Sequence, residues 1–240
     1  MHGSIRVGTI KHTGQTKTFG NYRTIEVMTA CSPYFSLSPY ALKTKDGVIL
    51  ENAWQFAKLY PKIPRSIQKY SKYNNRIIWS HGEEIHVDQD GNPNELFYQW
   101  QKKGFECKDA IRYPVGFYAR HTCLCSLYQG PNGWERLGYV EARKKIYLPN
   151  YIEAVKKEKQ FLELVKRLKK GENLLICEVD GPKQESLSYY QTNYNVPSDF
   201  IEEGTMLATP ENLNIMLEDT KHAFGHGYCL AMALLQELQQ

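Results

Sequence analysis

The most informative segment of the sequence is SLSPYALKTKDGVILENAWQFAKLY, residues 36–60. Its first half contains the turn dipeptide Asp46-Gly47 between two apolar segments. Such a dipeptide between apolar residues is typical of a tight hairpin, so we expect residues 40–42 to pair with residues 48–50.

The second half of this stretch predicts a short helix over residues 52–59, which Pro61 closes. Residues three and four apart are neighbours on a helix, so Glu51, Gln55 and Lys58 are expected near one face. That face would present a carboxylate, an amide and an ammonium. An amphipathic helix with one acid and one base is also typical of an ordinary solvated surface, and the spacing alone favours that interpretation.

These residues carry a resemblance to a known family. The motif consists of Ser38-Pro39-Tyr40, Asp46-Gly47, Glu51-Asn52, Gln55 and Lys58. It resembles the NADAR family, whose members act on N-glycosidic bonds of ribose-phosphate compounds, including ADP-ribose attached to guanine. The resemblance implies an α+β fold in a single domain, with a mixed β-sheet surrounded by helices.

The order of the later elements extends the resemblance to about residues 30–238 of the 240-residue chain. The Glu51 motif is followed by Arg143, by an apolar strand that ends near Asp180, and by Asp219 before a Phe-Gly-x-Gly lead into the last helix. Two further segments, residues 61–133 and 183–209, are expected to be insertions. The whole chain is therefore predicted to be one NADAR-like domain.

The resemblance implies an N-glycosidase and a set of site residues. Hydrolysis of an N-glycosidic bond builds positive charge on the ribose, and a carboxylate near C1′ stabilises it or activates water. Glu51 is expected in that role. Asp180 and Asp219 are the other predicted catalytic acids. The predicted substrate-binding residues are Ser38, Tyr40, Asn52, Trp54, Gln55, Lys58, Arg143, Tyr147, His222, Phe224, Gly225, His226 and Gly227.

Individual roles follow from side-chain chemistry. Arg143 and Lys58 are suited to phosphate, and His222 or His226 is suited to protonating a leaving base. Glycines before a helix leave N–H groups open, so residues 225–227 are also expected to bind phosphate. Each residue has an ordinary structural alternative, such as a surface arginine or a satisfied core histidine.

Composition limits the class of protein. The chain has 240 residues, is 42% hydrophobic and carries a net charge of +4, which suits a globular protein that tolerates an anionic ligand. No run of apolar residues is long enough for a membrane span, and the N-terminus lacks the apolar core of a secretory signal. We therefore expect a cytoplasmic protein with its six cysteines reduced.

The remaining predicted elements come from periodicity, turn residues and caps. Strands are expected at residues 4–10, 24–29, 76–80, 84–87 and 174–180. Helices are expected at residues 65–73, 94–107, 134–148, 150–170, 210–218 and in the C-terminal segment that follows Gly227. A lid or wall is expected at residues 108–133, and a long loop or flap at residues 183–204.

No cofactor and no metal are expected. Cys123 and Cys125 with nearby His121 form a C-x-C pair, but structural zinc sites prefer wider spacing and a second half. Two other functions stay open. The 17 tyrosines could serve a non-catalytic module that binds ADP-ribose, a nucleotide or single-stranded nucleic acid. A ribosyl transferase would use the same chemistry with an acceptor in place of water. In every case, the expected partner is a nucleotide or an ADP-ribosylated small molecule or nucleic acid.

Overall fold

The computed structural model describes residues 2–10, 16–27 and 33–239. Its residues form two compact units. Unit 1 comprises residues 1–42 and 151–240, and unit 2 comprises residues 43–150. Helices and strands are mixed in both units, which confirms the α+β class. The single domain stays a prediction.

The strands are β1 (Ile5–Thr9), β2 (Arg23–Glu26), β3 (Lys58–Leu59), β4 (Lys62–Ile63), β5 (Ser66–Lys69), β6 (Ile77–His81), β7 (Glu84–Ile85), β8 (Cys125–Gly130), β9 (Gly133–Leu137), β10 (Leu174–Glu178) and β11 (Thr205–Leu207). The α-helices are α1 (Leu50–Phe56), α2 (Glu95–Phe105), α3 (Tyr139–Ala142), α4 (Leu148–Val155), α5 (Lys159–Lys169), α6 (Leu187–Tyr194), α7 (Pro210–Glu218) and α8 (His226–Leu238). A π-helix, Arg143–Tyr147, links α3 and α4.

Unit 1 is built on a mixed four-stranded sheet in the order β11-β1-β10-β2. β10 is parallel to both of its neighbours, and all five of its residues are buried. The apolar run at residues 174–180 therefore forms the central strand that the sequence predicts, although the strand ends at Glu178. β1 and β2 confirm the strands expected at residues 4–10 and 24–29, and residues 28–29 lie outside the described ranges.

The helix predicted over residues 150–170 is wrong as one element, because α4 and α5 are separate. Val155 and Phe161 are both fully buried. Their six-residue separation would place them on different faces of one straight helix. The break lets both side chains reach the core of the same unit.

The long loop predicted over residues 183–204 is also wrong. This segment contains α6, whose Tyr190 is buried. The helix ends at Asn195, which takes the left-handed conformation with φ 51°. Asparagine is one of the few residues that adopts this conformation at low cost. Because this segment is polar, its sequence did not indicate a helix that buries the Tyr190 side chain.

Unit 2 contains one three-stranded sheet, β3-β8-β9, and two strand pairs, β4-β7 and β5-β6. The helix predicted over residues 65–73 is wrong, because β5 pairs with β6 there. The helix predicted to start at Trp134 is wrong in its first part, since residues 134–137 pair with β8. Pairing with a distant strand overrides local propensity in both places.

Aromatic side chains form the main core of unit 2. The Phe56 ring lies 4.6 Å from the Trp100 ring and 4.9 Å from the Trp79 ring, measured between centroids. Phe97 and Trp100 come from α2, which Asn94 caps by accepting a hydrogen bond from the Phe97 amide at 3.1 Å. This cap confirms the predicted start of the helix.

The strands predicted at residues 76–80 and 84–87 are present as β6 and the shorter β7, and the helix predicted at 210–218 is present as α7. Within the described ranges, none of the helices combines the length and apolar character that crossing a membrane requires.

Candidate functional site

The stretch at residues 36–60 folds as a turn followed by a helix, with shifted bounds. The Gly47 amide donates to the Thr44 carbonyl at 2.9 Å, and Gly47 has φ +81°, which glycine adopts readily. The predicted turn is therefore present, but the pairing around it is one bridge between Lys43 and Ile49. The helix, α1, starts two residues earlier than predicted and ends three residues earlier.

The three polar residues predicted on one face are linked in a chain of hydrogen bonds. Gln55 donates through Nε2 to Glu51 Oε1 at 2.9 Å, and Lys58 donates through Nζ to Gln55 Oε1 at 3.0 Å. Glu51 is buried, with 7% of its surface exposed. A buried carboxylate needs such partners, so this side is not an ordinary solvated face.

Aromatic rings surround the ammonium end of this chain. Lys58 Nζ lies 4.7 Å from the centroid of the Trp54 ring, close enough for a cation–π interaction. The Trp54 ring is 5.2 Å from the Tyr147 ring and 6.1 Å from the Tyr139 ring. Trp54 and Tyr147, both predicted to bind substrate, are therefore in contact.

Arg143 lies in the π-helix, which packs against α1. It is 1% exposed, and its guanidinium carbon lies 4.1 Å from the centroid of the Tyr139 ring. A buried arginine is costly unless it serves a structural or functional contact. π-Helical turns are frequent at functional sites, and this one carries both Arg143 and Tyr147.

A pocket of unit 2 lies beside Lys58, at the end of the hydrogen-bonded chain from Glu51. Its lining includes Lys58, Tyr60, Arg120, Ser126 and Tyr139. Burial lowers the pKa of Lys58, and Arg120 adds to the effect, while the Glu51 charge opposes it. Arg120 and Ser126 were not predicted. They lie in a segment whose irregular sequence gives no helical or strand spacing from which to place them.

Asn52 has a structural contact. Its amide donates to the Asp109 carbonyl at 3.0 Å and accepts from the Ile111 amide at 2.7 Å. Asn52 is fully buried, and these bonds fix the backbone at residues 109–111. Its expected contact with substrate stays a prediction.

The first motif residues belong to the other unit. Ser38 is buried, and its hydroxyl accepts from the Tyr40 amide at 3.2 Å. Both residues lie in unit 1, whereas Glu51 lies in unit 2. The predicted motif is thus divided at residues 42–43.

In unit 1, the buried acid at the end of β10 is Glu178, which the sequence did not single out. It is 2% exposed, whereas Asp180, the predicted acid, is partly exposed. Burial, with a smaller contribution from the Asp180 charge, raises the pKa of Glu178 to about 8. The signal that could have identified Glu178 is a charged residue inside an otherwise apolar strand sequence.

Glu178 lies against the glycine-rich start of α8. A Cβ built on Gly225 would approach Glu178 Oε2 to 2.2 Å, so glycine is required there for the carboxyl group to fit. The backbone amides of Gly227, Tyr228 and His226 interact with this carboxyl group and partly offset the effect of burial on its pKa. The position expected to bind phosphate is therefore adjacent to a carboxyl group of the protein itself.

His226 lies between this carboxyl group and the backbone. Its Nε2 lies 2.6 Å from the Val27 carbonyl oxygen, and its Nδ1 lies 3.3 Å from Glu178 Oε2. A carbonyl only accepts, so Nε2 carries a proton and Nδ1 faces the carboxyl group. Phe224, also predicted as a site residue, is buried and stacks on Tyr228 at 5.2 Å.

A second polar network of unit 1 contains Asp219 and His222. His222 Nδ1 lies 2.6 Å from Asp219 Oδ2, and His222 Nε2 lies 3.2 Å from the Ser186 hydroxyl. Tyr190 donates to Asp219 Oδ2 at 2.6 Å. Burial acts to raise the pKa of Asp219, but these hydrogen bonds outweigh it and leave that pKa lowered.

This network borders a cleft whose lining also includes Asp180. Asp180 and His222, two of the predicted site residues, line this cleft, and Asp219, a third, is hydrogen-bonded to His222. Ser186 and Tyr190 join them and were not predicted, because they fall in the segment expected to be a loop.

Comparison with known proteins adds no relative. The chain matches no protein-family model, no curated protein sequence and no solved structure.

Proposed function

We propose that this protein is an N-glycosidase that cleaves the bond between a ribose, carried by ADP-ribose or ribose phosphate, and a base or amine. The observation that carries the proposal is the hydrogen-bonded chain from buried Glu51 through Gln55 to Lys58. It joins the carboxylate of Glu51 in α1 to the ammonium of Lys58 in β3, beside the Trp54 ring. The NADAR resemblance, including a NADAR-like fold, is part of the same proposal.

Glu51 would stabilise the positive charge that develops at C1′ or activate the attacking water. Gln55 holds one carboxylate oxygen, which leaves Glu51 oriented by its neighbour. The bond from C1′ to the base nitrogen breaks, water supplies the new C1′–O bond, and the departing base takes a proton. The attacking water releases a proton as the C1′–O bond forms, which balances the proton that the base takes. Catalytic roles for Asp219 and His222, which lie in unit 1, stay predictions.

The phosphate of the substrate would bind between the cations of unit 2. Lys58 and Arg120 both line its pocket. Lysine acts as a point charge and arginine as a bidentate fork, so the two together suit a phosphate or diphosphate. The neighbouring Ser126 hydroxyl can donate a further hydrogen bond.

The second candidate is a non-catalytic module that binds the same kind of ligand. The contact of Trp54 with Tyr139 and Tyr147 favours it, because aromatic faces bind bases by stacking. A transferase that delivers ribose to another acceptor would share Glu51 with the hydrolase.

The proposal includes a cytoplasmic location. Cys107, Cys123, Cys125, Cys177 and Cys229 are free thiols, as expected for a protein of a reducing compartment.

Incubation with guanine-ADP-ribosylated DNA, free ADP-ribose conjugates and NAD, followed by mass spectrometry, tests the proposal. We expect wild-type protein to release ADP-ribose or ribose phosphate. Glu51→Gln keeps the shape of the side chain but loses its charge, so turnover should fall by at least about 100-fold while binding persists.

Glu95→Gln is the matched control. Glu95 also lies in the first turn of a helix of unit 2, but it is exposed. This variant should turn over like wild type. Ligand binding without any turnover in wild type would favour the binding module, and equal turnover in Glu51→Gln would exclude Glu51 as the catalytic carboxylate.

A further inference from the structure

The strand pairs of unit 2 bring together three side chains that the proposed glycosidase does not use. His81 ends β6, Glu84 starts β7, and His86 follows two residues later. One ligand atom from each lies within 4.8 Å of the other two. The three residues lie within the six-residue segment His-Gly-Glu-Glu-Ile-His, residues 81–86, so the backbone keeps their side chains close together.

Both imidazole rings meet the same carboxylate oxygen. His81 Nε2 lies 2.9 Å and His86 Nε2 lies 3.4 Å from Glu84 Oε2. The His86 ring is fully buried, and its Nδ1 has no hydrogen-bond partner among the described residues. Among the described residues, Glu84 is therefore the only hydrogen-bond partner of this ring.

Packing fixes the orientation of each ring. The His81 ring stacks on Trp79 at 5.6 Å with an interplanar angle of 11°. The His86 ring lies 5.2 Å from the Trp100 ring. The His86 amide donates to the Pro61 carbonyl at 3.0 Å, and its carbonyl accepts from the Asn94 amide at 3.0 Å. Rings held by packing form a preorganised ligand set.

We propose that His81, Glu84 and His86 form a binding site for a divalent transition-metal ion, with zinc as the best match. Two imidazole nitrogens and one carboxylate oxygen are the ligand types that Zn²⁺ accepts. Glu84 is partly exposed, so a fourth position is open to water. Three protein ligands plus water is the arrangement of an open zinc site.

Lys103 opposes binding. Its ammonium lies 3.5 Å from His81 Nδ1 and donates to the Ser80 carbonyl at 2.9 Å. When Nε2 of His81 binds a metal, Nδ1 carries the proton and cannot accept from this ammonium. Removal of the Lys103 charge should therefore strengthen metal binding, so a Lys103 variant is expected to gain affinity.

Calorimetric titration of the full chain with Zn²⁺ tests the proposal. The thiols are alkylated first, because free cysteines also bind zinc. We expect saturation at one ion per chain at micromolar free Zn²⁺. Glu84→Gln and His81→Gln should each weaken binding by at least about 100-fold, since removal of a supporting residue alone costs 10–100-fold. Lys103→Met should tighten it by about tenfold.

His121→Gln removes a histidine outside the cluster and should bind like wild type. Far-UV circular dichroism confirms that each variant is folded. The absorption spectrum of the Co²⁺ complex adds an independent check, because nitrogen and oxygen ligands give no thiolate charge-transfer band. Absence of saturable binding, or unchanged binding in Glu84→Gln, would overturn the proposal without bearing on the glycosidase.

Discussion

Two buried glutamates, one in each unit, show how the same side chain acquires different chemistry. Glu51 lies in the first turn of α1 and is bonded to Gln55, which connects it to Lys58. Glu178 lies at the end of a central strand and faces backbone amides and His226. Glu51 belongs to a hydrogen-bonded chain of side chains that contains a cation. Glu178 is enclosed, and burial raises its pKa to about 8.

The difference shows that burial alone does not identify a catalytic acid. In the proposed reaction, the Glu51 carboxylate would stabilise the developing oxocarbenium ion. A carboxyl group that is buried away from water, such as that of Glu178, holds its proton at neutral pH and acts first as a determinant of stability. We therefore propose Glu51, and not Glu178, as the catalytic carboxylate, and we expect Glu178 to control the response of the fold to pH.

The largest expected effect is the pH dependence that Glu178 gives to stability. Its folded-state pKa is about 8, against an ordinary value of 4.5. Its stabilising contribution is complete below about pH 4.5 and is lost as the pH rises to about 8, because over that range the unfolded state releases its proton while the folded state still holds it. The free energy of unfolding should fall by up to about 5 kcal/mol over that window.

Urea unfolding between pH 5 and pH 9 measures this dependence. Glu178→Gln is neutral throughout and should remove most of the fall. Thr209→Ala changes no titratable group, so it should lower stability while keeping the wild-type slope. An unchanged slope in Glu178→Gln would show that another group controls the response.

The sequence predicted those elements whose signals are local. Asn94 and Pro210 marked the starts of α2 and α7, and a continuous apolar run marked β10. The bond between Glu51 and Gln55 followed from helical spacing, whereas Lys58, predicted on the same helix, lies in β3. Each of these elements carries its own cap, terminating residue or periodicity, so the sequence alone is enough to place it.

The sequence could not place elements and site residues that depend on distant partners. The basic, tyrosine-rich segment at residues 65–73 was predicted to be a helix, but its residues 66–69 form β5 by pairing with β6. Glu178 has its chemistry because α8, some fifty residues later, encloses it. Two histidine rings approach Glu84, whereas its neighbour Glu83 is exposed and pairs with Lys62.

A smaller effect is expected from Asn52, which supports the Glu51 helix from its buried side. Asn52→Ala leaves the Ile111 amide and the Asp109 carbonyl without their bonds to the Asn52 side chain. The free energy of unfolding should fall by about 2 to 3 kcal/mol. The exposed Asn92 of the same unit provides the control, since Asn92→Ala should change stability by no more than about 0.5 kcal/mol.

Tryptophan fluorescence during urea unfolding measures the effect of Asn52→Ala, because all 4 tryptophans of the chain, Trp54, Trp79, Trp100 and Trp134, lie in unit 2. A loss as small as that of Asn92→Ala would mean that the backbone at residues 109–111 is held by other contacts.

The smallest effects compare equivalent helix caps in the two units. Asn94 accepts from the Phe97 amide and Thr209 accepts from the Asn212 amide, each at 3.1 Å. Replacement of either by alanine removes one bond from the first turn of a helix and should lower the free energy of unfolding by about 1 kcal/mol. Fluorescence reports only unit 2, whereas circular dichroism reports the helices of both units. Asn94→Ala should therefore shift the fluorescence transition. If Thr209→Ala shifts the fluorescence transition as much as Asn94→Ala does, the two units unfold in one step. If Thr209→Ala shifts only the transition seen by circular dichroism, Glu51 and Glu178 belong to parts of the chain that unfold separately.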